Sequence, residues 1–371
     1  MEAADAPARR TALSIGRSRL LVALRRAGPW LLIAALAALP VIYAVHDLTA
    51  GYATGFVHGH TQVAHDLTYW FTNLVNGLSN GMIWALIAIG YTLVYGIIEL
   101  INFAHGDVFM IGSLTAAGFW ASIGLGLTTG PLGLVLGLLL TLVVSMLTCG
   151  SLNVLIERVG YRPLRNAPKL APLITAVGFS FILQNVGLLW LGGAPKGVSD
   201  LIHQNDTVVQ LSGVVIRRAD VLSFGVTIPL VIALTWFVGR TRPGRAMRAT
   251  AQDPEAARLM GINVDMTISL TFLIGGMLAG AAGLVYALYE TTIDYFQGFE
   301  AGLIAFTAAV MGGIGNLRGA VLGGLIIGVI QQICDARIGP AWTPAIVFVF
   351  LIVILVVRPQ GLLGEETREA G

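Results

Sequence analysis

The sequence predicts an all-α polytopic membrane protein with about ten transmembrane helices. Hydrophobic residues make up 56% of the 371 residues, charged residues make up only 11%, and the mean hydropathy is +0.80. A soluble domain carries about a quarter charged residues, so this apolar excess needs lipid as its solvent. Apolar segments near spanning length alternate with polar connections along the chain, as expected for a bundle of membrane helices.

The first 68 residues combine a basic tail, one apolar segment and a polar linker. Residues 1–28 carry six arginines against two acidic residues. The apolar segment at 29–45 has the length of a short span or of a signal peptide. No small-residue cleavage site follows it cleanly, so we favour a retained anchor helix. Both interpretations place 46–68 outside the membrane, and its irregularly spaced histidines favour a solvated linker over a metal site.

Nine further apolar segments follow the linker. They lie at 71–98, 108–123, 131–156, 171–191, 221–238, 266–288, 301–314, 320–334 and 343–357. The segment at 301–314 is short enough to be a tilted span or a re-entrant half-helix. Glycines recur in the segments at 71–98, 266–288 and 320–334, and small residues let helices approach closely in lipid. These three segments are therefore the predicted packing surfaces.

The charge of the connections predicts the orientation. Connections at 157–169 and 240–258 are rich in arginine, like the N-terminal tail, whereas 290–300 is acidic. Lys and Arg accumulate on the cytoplasmic side of membrane proteins. Ten alternating spans then place every basic segment and both termini in the cytoplasm. If 301–314 does not cross, the C-terminus moves outside.

Two other connections have features of their own. The connection at 99–107 places four polar side chains between two hydrophobic runs. The long external connection at 192–220 contains a β-prone patch at 207–216 and predicts a lid or hairpin. Arg217 and Arg218 lie in this external connection and are exceptions to the charge rule.

The polar connection at 240–265 contains a short helix with both ends marked. Asp253 can accept hydrogen bonds from the first free N–H groups, and Pro254 suits the first helical position. Glu255 adds negative charge at the positive end of the helix dipole, and Gly261 suits the left-handed residue that closes a helix. A two-turn helix is unstable alone in water, so neighbours must hold it. Its small apolar face consists of Ala256, Leu259 and Met260.

The rare cysteines and lysines exclude several kinds of site. Cys149 and Cys334 fall within or at the end of apolar segments and predict neither a disulfide framework nor a metal site. The only two lysines, Lys169 and Lys196, do not follow the glycine pattern of a phosphate-binding loop. If ATP drives this protein, another chain binds the nucleotide.

Several motifs together resemble permease subunits of branched-chain amino-acid ABC importers of the LivH type. The resemblance covers about residues 71–363. The matching motifs are NGLSNG at 76–81, ALIAIGYTLVYG at 85–96, INFAHGD at 101–107, RPLR at 162–165, DPEAAR at 253–258, GINV at 261–264 and GGIG at 312–315.

The resemblance implies the permease fold of the branched-chain amino-acid, ribose and vitamin B12 type in a bacterial inner membrane. It implies a second homologous permease, two cytoplasmic ATPase subunits and an extracellular or periplasmic solute-binding protein as partners, and no nucleic acid. This chain would form half of the path for leucine, isoleucine and valine. It would be no enzyme and bind no cofactor, with ATP on the partner subunits. The expected divisions are 1–68, a permease core at 69–363, and a tail at 364–371.

The resemblance also gives the short helix a role. Its pattern is similar to the coupling motif of importer permeases, whose short helix sits in a cleft of the ATPase. Small residues would keep this helix slim, Leu259 and Met260 would form the knob, and Arg245, Arg248 and Arg258 would pair with carboxylates on the ATPase. The expected coupling residues are Asp253, Pro254, Glu255, Ala256, Ala257, Arg258, Leu259 and Gly261.

Two further sets of candidates rest on polarity. The first set would line the pathway or form a gate, with structural hydrogen bonds as the alternative. It consists of Asn102, His105, Asp107, Gln184 and Asn185. The second set would dock the binding protein, with a solvated loop as the alternative. It consists of Glu290, Asp294 and Glu300.

Other functions are weighed against this one. A urea, short-amide or sugar permease of the same superfamily is the nearest alternative, because a separate binding protein largely chooses the substrate. An ion-driven secondary transporter usually carries charged side chains at mid-membrane, and these spans have almost none. A membrane enzyme is disfavoured because no nucleophile–base pair or metal cluster appears.

Overall fold

The computed structural model describes residues 42–43, 45–46, 48–49, 52–57, 60–64, 67–165, 167–168, 170–211 and 213–364. The predicted anchor segment at 29–45 lies almost entirely outside these residues, as do the basic tail at 1–28 and the last seven residues. The helices that follow residue 67 are α1 Thr68–Ile98, α2 His105–Ser122, α3 Pro131–Ile156, α4 Leu170–Leu191, α5 Arg218–Arg240, α6 Arg242–Gln252, α7 Pro254–Leu259, α8 Val264–Glu290, α9 Gln297–Gly312, α10 Leu317–Arg337 and α11 Thr343–Val357.

The nine spans predicted after the linker are confirmed as helices, with ends that differ by four residues or fewer. Within the described residues, seven helices are long and apolar enough to span a bilayer: α1, α3, α4, α5, α8, α10 and α11. Helix α11 reaches this length together with the 3₁₀ turn Pro340–Trp342 that precedes it. Helices α2 and α9 are not among the seven, and both pack inside the bundle. The predicted total of about ten spans is not confirmed by this count.

Three antiparallel pairs of strands complete the described part of the chain. They are β1 Tyr52–Val57 with β2 His60–Ala64, β3 Lys196–Gly197 with β6 Thr292–Ile293, and β4 Thr207–Leu211 with β5 Val214–Arg217. The β4–β5 hairpin confirms the predicted strand-prone patch. The β1–β2 hairpin lies in the linker, where no strand was predicted.

The two ends of the bundle are distinguished by what they carry. We term the end with β4–β5 the hairpin end, where the turn at Gly213 packs against Thr68 at the start of α1. We term the opposite end, which carries α6 and α7, the loop end. The chain enters α9 from the β3–β6 pair at the hairpin end and leaves it at Gly315, beside Gly96 near the loop end of α1. The segment predicted at 301–314 therefore crosses the bundle and does not re-enter.

Glycine contacts build the centre of the bundle. On α1, a Cβ at Gly81 would lie 2.8 Å from the Cα of Leu325, and on α10 a Cβ at Gly324 would lie 2.6 Å from the Cα of Ala85. On α8, Gly280 packs against the carbonyl of Ser145, whose hydroxyl donates a hydrogen bond of 2.9 Å to the carbonyl of Gly280. The three glycine-rich spans are thus confirmed as packing surfaces.

One helix of the loop end was missed by the sequence analysis, which predicted only the short helix there. Helix α6 begins after Thr241, whose hydroxyl accepts a hydrogen bond of 3.1 Å from the N–H of Gly244. Its sequence is polar and arginine-rich, so no apolar period indicated a helix. It is held by tertiary contacts instead, because Met247 and Thr250 are buried against the bundle.

Candidate functional site

The predicted short helix is present as α7, with the predicted ends. The Asp253 carboxylate accepts hydrogen bonds of 2.9 Å from the N–H groups of Glu255 and Ala256. Gly261 has φ +79°, the left-handed conformation that a residue with a Cβ rarely adopts. Asn263 then accepts a bond of 3.0 Å from the N–H of Met266 and begins α8. A tight turn therefore connects α7 directly to α8, a central helix of the bundle.

Helix α7 turns one side to the protein and presents apolar side chains on the other. Ala257 is buried, with 3% of its surface exposed, and seats the helix on the bundle. Leu259 and Met260 are 89% and 82% exposed. We term these two side chains the knob. Two large apolar side chains that protrude from a polar surface are typical of a protein contact site.

The three arginines expected to pair with carboxylates on the ATPase differ in their contacts. The guanidinium of Arg245 donates to the carbonyl of Arg240 at 3.2 Å, and that of Arg248 donates to the carbonyl of Val238. Both arginines therefore close the turn between α5 and α6. Arg258 is exposed beside the knob.

A network of charged side chains lies beside α7 and was not predicted. Arg165 donates to both Glu157 and Asp265, and Arg162 donates to Asp265 at 2.7 Å. Ser269 donates to Glu157 at 2.7 Å. We term these five residues the arginine clamp. It ties the connection after α3 to the first turns of α8, immediately after the short helix.

Glu157 of the clamp is fully buried, so we expect substitutions of the two clamp arginines to destabilise the protein by different amounts. The Glu157 side chain is 0% exposed and Arg165 is 20% exposed, whereas Arg162 and Asp265 are 46% and 43% exposed. We expect Arg165→Ala to lower the free energy of unfolding by about 3–5 kcal/mol, because it leaves a buried carboxylate without its cation. Arg162→Ala should cost about 0–1 kcal/mol, because its ion pair is half exposed.

The melting temperatures of both clamp variants are measured by thermal unfolding of the purified chain in detergent. The double variant Glu157→Gln with Arg165→Gln serves as a further control, because it removes both charges together. Equal melting temperatures for Arg165→Ala and Arg162→Ala would contradict this ranking.

The structure places four of the five pathway candidates in the interior and brings Asp107 and Gln184 together through Ser180. Helix α2 begins at His105, three residues before the predicted start, so His105 and Asp107 are buried within its first turn. Asp107 accepts a hydrogen bond of 2.5 Å from Ser180, and Gln184 donates to the Ser180 hydroxyl at 3.1 Å. Asn185 is exposed and donates to the carbonyl of Phe181.

Asn102 belongs to a neighbouring network. It donates a hydrogen bond of 3.2 Å to Asn153 of α3, which donates to the carbonyl of Phe272 at 2.7 Å. The connection at 99–107 therefore ends at residue 104, and its second half is buried in the bundle. Glycines explain the burial, because Gly106 packs directly against Gly298 and Gly302 and draws the turn into the bundle.

The acidic candidates lie around the start of α9 at the hairpin end. Glu290 and Glu300 are exposed, whereas Asp294 is half-buried and accepts a bond of 2.6 Å from the N–H of Phe296. Arg217, an exception to the charge rule, lies near them. It donates bonds of 3.1 Å to Asn76 of α1 and to the Tyr289 hydroxyl of α8.

Comparisons with known proteins agree on one family. Residues 73–356 match the family described as the permease component of the branched-chain amino acid transport system. The chain is 42% identical over 306 residues to the high-affinity branched-chain amino acid transport system permease protein BraD of Pseudomonas aeruginosa, which covers 82% of this chain and 99% of that protein. No solved structure matches the chain.

Two further relatives show the range of the similarity. LivH of Escherichia coli K12, a permease protein of the same named system, is 39% identical over 310 residues, 83% of this chain and 99% of that protein. The fructose import permease protein FrcC of Rhizobium meliloti is 28% identical over 201 residues, 51% of this chain and 55% of that protein. The chain therefore belongs to the family of membrane permease components of branched-chain amino acid transport systems.

Proposed function

We propose that this chain is the permease subunit of an ATP-driven importer of leucine, isoleucine and valine, and that α7 couples it to the ATPase. Membership of the permease family supports the transport role. The observation that carries the coupling role is the exposed knob on a capped helix seated by Ala257. Leu259 and Met260 enter a cleft of a cytoplasmic ATPase subunit, and Arg258 pairs with a carboxylate at its rim.

The arrangement of α8 supports transmission through the bundle. This helix has 27 residues, so it extends about 40 Å at 1.5 Å per residue. Its first turns are held by the arginine clamp beside α7, and its last turn is held by Arg217 through Tyr289. ATP on the partner subunits then shifts the balance between inward-open and outward-open states, and α8 carries that shift between the ends.

Exposed apolar faces and the distribution of charge support the arrangement of the second permease, the pathway and the membrane orientation. A second homologous permease covers exposed apolar faces of the peripheral helices, and the pathway for the zwitterionic amino acid runs between the two subunits. Asn185 lines that pathway, and the buried set Asn102, His105, Asp107 and Gln184 supports its walls as a gate. The loop end is cytoplasmic because the arginine-rich connections lie there, and the chain resides in the bacterial inner membrane with both termini inside.

Reconstituted transport tests this function. Proteoliposomes that contain the chain, a second permease and two ATPase subunits should accumulate labelled leucine only with ATP inside and a loaded binding protein outside. Labelled fructose is the competing substrate, because FrcC is a partial relative. Uptake of fructose in preference to leucine would contradict the proposed substrate. Leucine uptake without ATPase subunits would contradict the ATP-driven mechanism.

Gly261 has a left-handed conformation after α7, so we expect two substitutions at this residue to differ sharply in ATP-driven uptake. Gly261→Val should lower ATP-driven uptake at least tenfold, because a β-branched residue strains the turn by about 1–3 kcal/mol and displaces the knob. Gly261→Asn should retain uptake, because Asn tolerates this conformation. A Cβ at Gly261 would meet open space, with no other side chain or distant backbone within 4 Å, so crowding does not separate the two variants. Equal uptake by both would count against the role of this turn.

We expect the acidic residues at the hairpin end to contact the binding protein. The double variant Glu290→Lys with Glu300→Lys should weaken that association at least tenfold at low salt, because both carboxylates are exposed and the reversal repels basic groups on the partner. Gln210→Lys is the control, since it adds positive charge to the exposed hairpin without removing an acid. Unchanged affinity of the double variant by surface plasmon resonance would leave these residues as a solvated loop. Asp294 is spared because it caps the turn before α9.

A further inference from the structure

A groove opens between α3 and α8 at the loop end. The two helices touch closely where Gly276 and Gly280 pack against α3. Nearer the loop end the clamp joins them through Ser269 and Glu157, and the groove lies on the surface beside this contact. The groove has a volume of about 590 Å³. Its walls include Val154 and Arg158 on one side and Leu270 and Leu273 on the other.

Polarity changes along the groove in one direction. Leu270 and Leu273 follow the start of α8 by six and nine residues, so they lie about 9 and 14 Å into the bundle along the axis. Arg158 follows the last residue of α3, and it lies at the mouth with Arg162. The floor is mainly apolar, with Ser151 and Ser269 beside the leucines, and the mouth carries the two arginines together with Asp265. This gradient suits a molecule with a charged head and an apolar tail.

The charge at the mouth is not neutralised by the residues that the structure describes. Three arginines, Arg158, Arg162 and Arg165, face two carboxylates, Glu157 and Asp265, which leaves one positive charge. Arg162 and Arg165 are both in the clamp. Arg158 is exposed and has no ion pair with any residue that the structure describes, so the excess charge falls on it.

We propose that this groove binds an anionic phospholipid of the cytoplasmic leaflet. Arg158 contacts the phosphate, and an acyl chain lies along Leu270 and Leu273. Basic pockets between membrane helices on the cytoplasmic side are suited to anionic headgroups. A free phosphate would leave the apolar floor exposed to water, and a zwitterionic lipid would leave the charge of Arg158 uncompensated. The proposal depends on the cytoplasmic placement of the loop end and not on coupling by α7.

Lipid retention by the assembled transporter tests the site. The complex of this chain with its partner subunits is incubated with mixed vesicles of phosphatidylglycerol and phosphatidylcholine, extracted, and analysed by native mass spectrometry. Phosphatidylglycerol should be retained in preference to phosphatidylcholine. Arg158→Gln should weaken its retention about fivefold, the effect of one basic residue near an anionic headgroup. Arg318→Gln, an exposed arginine outside the groove, should leave retention unchanged.

Four results would overturn the proposal. They are equal retention of phosphatidylglycerol by Arg158→Gln and the unmodified complex, equal retention of the two lipids, displacement of phosphatidylglycerol by inorganic phosphate, and retention only by the chain without its partner subunits. The last result would mean that a partner protein covers the groove. Because Arg158 is exposed and outside the clamp, its substitution should leave the melting temperature unchanged, which separates lost binding from misfolding.

Discussion

Replacement of Leu259 and Met260 by aspartate is expected to abolish ATP-driven uptake while the chain still inserts and folds. Both side chains are more than four-fifths exposed, so the free permease loses no packing. In the assembled importer they would be the central buried contacts of the ATPase interface. Central apolar contacts of this kind contribute about 2 kcal/mol or more each, so the ATPase should bind at least thirtyfold more weakly. Buried carboxylates without partners add to this loss.

The measurement is co-purification of the ATPase subunits, followed by uptake in proteoliposomes. Ile338→Asp is the control, because it introduces a carboxylate at an exposed apolar residue just after α10, at the opposite end of the bundle. This control should retain both the ATPase and uptake. If the double variant at the knob binds ATPase subunits and transports normally, α7 is not the coupling element. A variant that binds the ATPase but fails to transport would mean that the knob transmits the movement of the ATPase without being needed for its binding.

Replacement of Gly328 by leucine is expected to prevent formation of the folded bundle. Gly328 of α10 lies against the backbone of Gly77 and Gly81 of α1, so even a Cβ would overlap main-chain atoms. Backbone cannot move aside as the end of a flexible side chain can. Overpacking in a rigid core costs about 1–3 kcal/mol per site, and a clash between two helix backbones exceeds this. In lipid no hydrophobic force between helices offsets the lost contact.

The control for this substitution is Gly178→Leu on α4. A Cβ at Gly178 would meet open space, and this glycine is exposed, so a leucine there meets no other part of the described chain. The yield of monodisperse protein in detergent and its melting temperature are the readouts. Gly328→Leu should give aggregated or absent protein, and Gly178→Leu should match the unmodified chain. Similar yields would mean that α1 and α10 do not depend on this contact.

The two variants examine different parts of one mechanical arrangement. Close glycine contacts make α1, α8 and α10 a stiff centre, and the knob acts on that centre from one end. The Arg217 contacts with Asn76 and Tyr289 bring α1 and α8 together at the other end. A stiff centre held at both ends can transmit a movement of the ATPase to the hairpin end.

Local rules explain what could be predicted at α7. The cap at Asp253, the proline after it and the left-handed Gly261 are each set by neighbouring residues, and the structure confirms all three. The limits of α3 and α11 were predicted to the residue for a similar reason, since apolar runs end where polar residues or helix breakers begin. The role of α7 in coupling remains a prediction from the resemblance.

The clamp and the contacts of Arg217 could not be predicted in this way. Arg165 and Asp265 are 100 residues apart, and Arg217 and Asn76 are 141 residues apart. Only the fold brings such pairs together. One signal was available, because Glu157 directly follows a long apolar helix, where a carboxylate needs a partner. The RPLR motif supplied that partner, but its sequence did not indicate which acid it would meet.

The sequence by itself determined the membrane class, the limits of the apolar helices after residue 67, and the capped short helix. Lipid thickness sets the length of the apolar runs, and neighbouring residues set where each helix ends. The tertiary structure alone decided which face of each helix is buried. Membrane helices are apolar on all sides, so their sequences carry little periodic signal for rotation about the axis. Backbone contacts at glycine set that rotation, and in α2 the contact of Gly106 with Gly298 and Gly302 places Asp107 in the interior.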